Sequence, residues 1–138
     1  MPRHPSRPAS RRLLSAGLWS CLLATGCQAP PAARPGQVDH VVLVWLQQPG
    51  DAATIDRMCA TAQSFLGAIP GLLSVDCGTV LASDRAIVDD SFDLGLVMRF
   101  TDRAALDAYE VHPLHQKAVA EVLGPNAKRV VVHDLLVR

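Results

Sequence analysis

An α+β domain is what this sequence predicts, and three observations predict it. β-rich runs, several of them alternating, fall at residues 38–46, 72–81, 92–100 and 129–137. Apolar residues at helical spacing fill the gap between the first two runs, and two further helical stretches lie between the last two. Turn signals stand at the joints: Pro49-Gly50, Pro70-Gly71 and Gly124-Pro125-Asn126.

Each element has its own reason. Residues 38–46 are rich in valine and leucine and stop at the Pro49-Gly50 turn. Asp51 is placed to cap the helix that follows. Ile55, Met58, Cys59, Ala62, Phe65 and Leu66 form its apolar stripe. Residues 72–81 alternate as a second strand, and the polar stretch 83–91, with Asp84, Asp89 and Asp90, reads as a loop. The clearest strand is 92–100: Phe92, Leu94, Leu96, Met98 and Phe100 lie on one face, and Asp93, Gly95, Val97 and Arg99 on the other. Thr101 or Asp102 caps a short helix through Tyr109. Pro113 suits the first turn of another helix, which runs to about residue 123 and is broken by Gly124-Pro125-Asn126. The order β-α-β-β-α-β is the split βαβ of ferredoxin-like folds.

The chain before this domain reads as an address. Of 138 residues, the first acid is Asp39, whereas Arg3, Arg7, Arg11 and Arg12 precede the first apolar stretch. The overall charge of +0 therefore hides a basic leader and a mildly acidic domain, which excludes the basic face that nucleic-acid binding needs. A basic start, a short apolar run over residues 13–26 and small residues before Cys27 describe a signal peptide covering residues 1–26. Leu23-Ala24-Thr25-Gly26-Cys27 resembles a bacterial lipobox, with Cys27 as the lipidated residue. The same bond also suits a plain secretory cut, and both the general and the twin-arginine export routes stay open. Either way the mature protein is expected outside the cytoplasm. It would be anchored in a membrane by lipid (the outer one in a Gram-negative cell) or be periplasmic or secreted. Residues 27–37 hold Pro30, Pro31, Pro35 and Gly36 and read as an extended tether, leaving 38–138 as the domain.

Five segments together resemble one family. They are His40-Val-Val-Leu-Val-Trp45, Ile69-Pro-Gly71, Ser91-Phe-Asp-Leu-Gly-Leu-Val-Met-Arg-Phe100, Tyr109-Glu-Val-His-Pro-Leu-His115 and Val132-His-Asp134. In that order and spacing they resemble the stress-responsive A/B barrel domain family, Dabb. The resemblance implies a homodimer whose two sheets close into a dimeric α+β barrel. It also implies a small-molecule ligand and no cofactor. Some plant members are polyketide cyclases, and their Tyr and His carry over to Tyr109 and His115, with a first-strand histidine carrying over to His40.

The residues support such chemistry on physical grounds. His112 precedes proline, is biased away from helical geometry and suits a helix cap. His115 then falls in the first turn, where the positive end of the helix favours a neutral imidazole. A neutral imidazole beside a phenol suits proton abstraction next to a carbonyl. Three functions remain open at this point: a small-molecule binding protein, a cyclase- or lyase-like enzyme using Tyr109 and His115, and a structural dimerisation module in which the same residues hold a corner. A metal held by His112, His115 and either His40 or Asp134 is disfavoured, because Pro113 breaks their helical spacing. His133 reads as a partly exposed strand residue. Asp93 and Arg99 share a strand face and read either as polar contacts for a ligand or as solvated or mutually neutralising charges. Cys59 and Cys77 fit buried thiols as well as they fit a disulfide, because spacing does not fix geometry.

Overall fold

The first strand, β1 (Val38–Leu46), is flanked on both sides, and that placement organises the rest. In the computed structural model, which describes residues 34–138, a four-stranded antiparallel sheet runs in the order β2-β3-β1-β4. The other strands are β2 (Leu72–Thr79), β3 (Leu94–Phe100) and β4 (Ala127–Leu136). The helices are α1 (Ala52–Gln63), α2 (Arg103–Glu110) and α3 (Pro113–Ala118). Beyond α3 the chain continues as a π-helical turn, Val119–Leu123, and a last helical turn, Gly124–Asn126. The ferredoxin-like α+β class expected from the sequence is the one observed. The leader, Cys27 and the tether as far as residue 33 lie outside the described residues.

Alternation decides which side chains are buried. Along β1 every second residue, from Val38 to Leu46, is buried under the helices. β3 repeats the pattern with Leu94, Leu96, Met98 and Phe100. These side chains meet Ile55, Met58 and Ala62 of α1 and Leu106 and Tyr109 of α2 in one core. Both helices are capped as their sequences suggest: Asp51 accepts from the Thr54 amide and hydroxyl, and Asp102 accepts from the Ala105 amide. Cys59 of α1 and Cys77 of β2 form a disulfide, with 5.7 Å between their Cα atoms, which ties the first helix to the edge of the sheet.

The other face of the sheet carries Asp39, Val41, Leu43 and Trp45 of β1 beside Val97 and Arg99 of β3. Asp39 and Arg99 are register partners, and the guanidinium donates twice to the carboxylate, at 2.6 and 2.9 Å. That pairing raises the Arg99 pKa further above its already high value.

Several expectations need correction. Arg99 and Asp93 do not meet; Asp93 instead accepts from the amides of Leu46 and Gly50, pinning the corner after β1. β3 starts at Leu94, two residues later than expected, although the Asp93 amide still donates to the Val44 carbonyl of β1. Leu66 lies past the end of α1 and is 52% exposed, outside the apolar stripe. Gly124 and Pro125 do not end the third helical segment, because proline at the start of a turn needs no amide partner. The break comes after Asn126. Residues 35–37 are not an extended tether: Gly36, with φ +91°, turns the chain, and the Gly36 amide and Gln37 carbonyl bond to Val137.

Candidate functional site

His40, Tyr109 and His115 arrive from three different elements and line one cavity of about 590 Å³ between the sheet and the helices. His40 occupies a helix-facing position of β1, with Met98 opposite it on one side and Asp134 of β4 on the other. That register brings the His40 Nδ1 to 2.7 Å from Asp134 Oδ1. The carboxylate accepts, so Nδ1 carries the proton, and in the neutral form of the ring the lone pair is on Nε2.

Tyr109 sits one turn beyond Leu106 on the buried face of α2 and is only 2% exposed. It packs among aromatic rings: Phe100 at 5.0 Å, His40 at 5.8 Å and His115 at 4.1 Å between ring centroids. Burial, with a smaller contribution from the Glu110 charge, pushes the phenol well above its usual pKa. It therefore remains a hydrogen-bond donor across the physiological range.

The Tyr-x-x-His-Pro-x-His segment divides its labour. His112 is the N-cap of α3, and its Nδ1 accepts from the Leu114 amide at 3.3 Å. Pro113 takes the first helical position, which places His115 in the first turn and its ring against Tyr109. The His115 Nδ1 donates to the Glu110 carbonyl at 3.1 Å; a carbonyl only accepts, so Nε2 is again the free nitrogen. Both cavity histidines are thus held in the same tautomer by different partners.

The remaining walls are mostly apolar, with Val42, Met58, Phe65, Leu96 and Met98 on the sheet and α1 side. Val119, Val122 and Leu123 of the π-helical turn close the other side, and such turns recur beside functional sites. Polar groups gather around Tyr109, so the cavity can take an apolar molecule and present a donor and two bases to it.

The structure brings together all three residues named from the sequence and adds Asp134. In the sequence Asp134 stands out as a candidate metal ligand and not as a partner of His40. The available signal was strand alternation, which puts Asp134 on the face of Val130 and Val132 and turns His133 to the other. His112 is engaged with the backbone and does not line the cavity. Among the described residues no three His, Cys, Asp or Glu side chains gather closely enough to share a metal ion.

Solved structures share this architecture. A Dabb family protein with a ferredoxin-like fold from Mesorhizobium loti is 24% identical, with a TM-score of 0.60, over 75% of this chain and 98% of that one. A dimeric ferredoxin-like protein of unknown function from Jannaschia is 30% identical, with a TM-score of 0.61, over 74% of this chain and all (100%) of that one. A hydroxynitrile lyase from Passiflora edulis is 21% identical, with a TM-score of 0.64, over 76% of this chain and 96% of that one. No curated protein sequence matches significantly. The family model for the stress-responsive A/B barrel domain matches residues 38–137, the stretch that holds the strands and helices described above and the cavity between them, and by that match the chain belongs to the Dabb family.

Proposed function

We propose that the protein binds a small carbonyl compound in the cavity and moves a proton on it by general acid–base chemistry. The observation that carries this reading is the convergence of Tyr109, His115 and the His40–Asp134 pair on one apolar space. The Tyr109 hydroxyl donates to the carbonyl oxygen. A histidine Nε2 takes the proton from the neighbouring carbon, the C–H electron pair becomes the enolate double bond, and the negative charge settles on the oxygen facing the phenol. His40 suits the base because the Asp134 carboxylate stabilises the imidazolium as it forms. Return of the proton to another carbon gives an isomerase-like outcome, and attack of the enolate carbon on a second carbonyl forms a carbon–carbon bond in an aldol- or cyclase-like one.

Deuterium exchange tests it. An apolar ketone in heavy water should lose its α-proton signal faster with the protein than without, as followed by proton NMR. The acceleration should fall by roughly 10²-fold or more in Tyr109→Phe and in His40→Ala. Exchange no faster than in buffer across a panel of ketones would sink the catalytic reading and leave a binding protein, which co-purification of a ligand in native mass spectrometry would reveal.

The setting proposed for this site is a homodimer outside the cytoplasm. The sheet face opposite the helices carries Val41, Leu43, Trp45 and Val97, and structural neighbours described as dimeric suggest that a second copy covers it. A disulfide between Cys59 and Cys77 suits an oxidising compartment, in keeping with the leader. Lipid attachment at Cys27 is tested by radiolabelled fatty acid, which should mark the wild type and not Cys27→Ser.

A further inference from the structure

We propose that the cavity selects uncharged ligands and turns away anions, so that its substrates are neutral, largely apolar molecules and not carboxylates, phosphates or their esters. This deepens the reading above and rests on the cavity being a small-molecule site. No lysine or arginine lines the cavity among the described residues, and its two ionisable acids, Glu110 and Asp134, are both negative when charged. An anion entering would give up its hydration without meeting a counter-ion, and it would meet two like charges. The groups awaiting it are a phenol and two imidazoles whose Nδ1 atoms are already bonded to Asp134 and to the Glu110 carbonyl.

Most basic side chains on the surrounding elements have partners away from the cavity, and exposed Lys128 of β4 is not among the lining residues. Arg99 of β3 is bound to Asp39 on the far face of the sheet. Arg129 of β4 stacks over Trp45, 4.2 Å from the ring centroid, on that same face. Arg103 of α2 is bonded to Asp107, and Lys117 of α3 lies 4.0 Å from Glu121. Arg57 of α1 is exposed and is not among the lining residues. Among the described residues, therefore, no wall of the cavity presents a lysine or an arginine.

A matched pair of fluorescent probes separates charge from shape: uncharged N-phenylnaphthylamine and anilinonaphthalene sulfonate, the same skeleton carrying a sulfonate. With the full-length protein, the neutral probe should bind, and its binding should be lost in Val122→Trp and in Ala118→Phe. Both substitutions fill the cavity from a wall that buries no residue, and circular dichroism checks that the variants are folded. The sulfonate should bind at least roughly tenfold more weakly, and Glu110→Lys should narrow that gap. Equal or tighter binding of the sulfonate, abolished by the filling variants, overturns the charge selection while the small-molecule site stands. An unchanged gap in Glu110→Lys overturns its assignment to these side-chain charges. Neutral-probe binding that is absent, or indifferent to both filling variants, removes the small-molecule site itself and the selection with it.

Discussion

His40 and Asp134 lie 94 residues apart in sequence, yet their side chains meet at 2.7 Å as direct neighbours on adjacent strands. The contact sets which ring nitrogen is left for a ligand. Asp134→Asn offers an amide in place of a carboxylate, so it removes both the tautomer preference and the charge that stabilises an imidazolium. The α-proton exchange rate is expected to fall by roughly 10²-fold or more. Because Asp134 is 46% exposed, the melting temperature should move little. An undiminished rate would show that His40 does not act as the base.

Tyr109 is the only tyrosine in the chain, so its ionisation can be read directly from the tyrosinate absorbance band. In the folded protein the phenol should titrate well above its ordinary value of about 10, because burial raises it. Above that value the unfolded chain gives up this proton while the folded one keeps it, so stability must fall as pH rises. The contribution is fully present below about pH 10 and is lost progressively at more alkaline pH. Tyr109→Phe should flatten that alkaline slope, and denaturant curves at several pH values measure it. A tyrosinate band rising at the ordinary pH in folded protein would contradict the buried position.

Closing the chain between Cys59 and Cys77 restricts an unfolded loop with a sequence separation of 18 residues. A loop of that size is worth about 3 kcal/mol. Cys59→Ser, and equally a reductant added to the wild type, should lower the unfolding free energy by roughly that amount. The two losses should not add, since one bond accounts for both. Chemical denaturation with and without reductant decides it; additive losses would mean that the reductant acts elsewhere.

Gly71 turns the chain into β2 with φ +81°, and a Cβ there would stand 2.5 Å from the Cβ of Ala105 on α2. Gly71→Ala combines backbone strain with a clash against a packed helix, and should cost about 2 kcal/mol or more. Gly50→Ala provides the contrast: its φ is also positive, but no heavy atom lies within 4 Å of the added carbon, so it should cost less. Thermal denaturation of the two variants side by side tests the difference. Equal losses would mean that strain alone, and not the close approach to α2, sets the cost.

Local pattern carried the fold a long way. The alternation of Leu94, Leu96, Met98 and Phe100 and the capping acids Asp51 and Asp102 are visible in a few adjacent residues, and the structure keeps them. Tyr109 and His115 were legible as a pair because one helix end and one helix start bring them together within seven residues. The His40–Asp134 bond was not legible, because it depends on the register between β1 and β4, which no local signal fixes. The same holds for Cys59 and Cys77, whose pairing depends on how α1 lies across β2. Asp93 was misread for a related reason: its partners are backbone amides at a corner, and these leave no trace in the side-chain sequence.

The wall formed by α3 and the turns after it buries none of its residues, whereas the facing wall rests on β1, a strand bonded to partners on both edges. Mutational freedom is therefore unevenly shared around the cavity. Substitutions at Val119, which is exposed, reshape the space while removing little buried contact, whereas a change at Val42 or Met98 disturbs the packed interior. A lineage built on this plan can exchange one ligand for another through its thin wall while Tyr109 and His40, on other elements, keep their places.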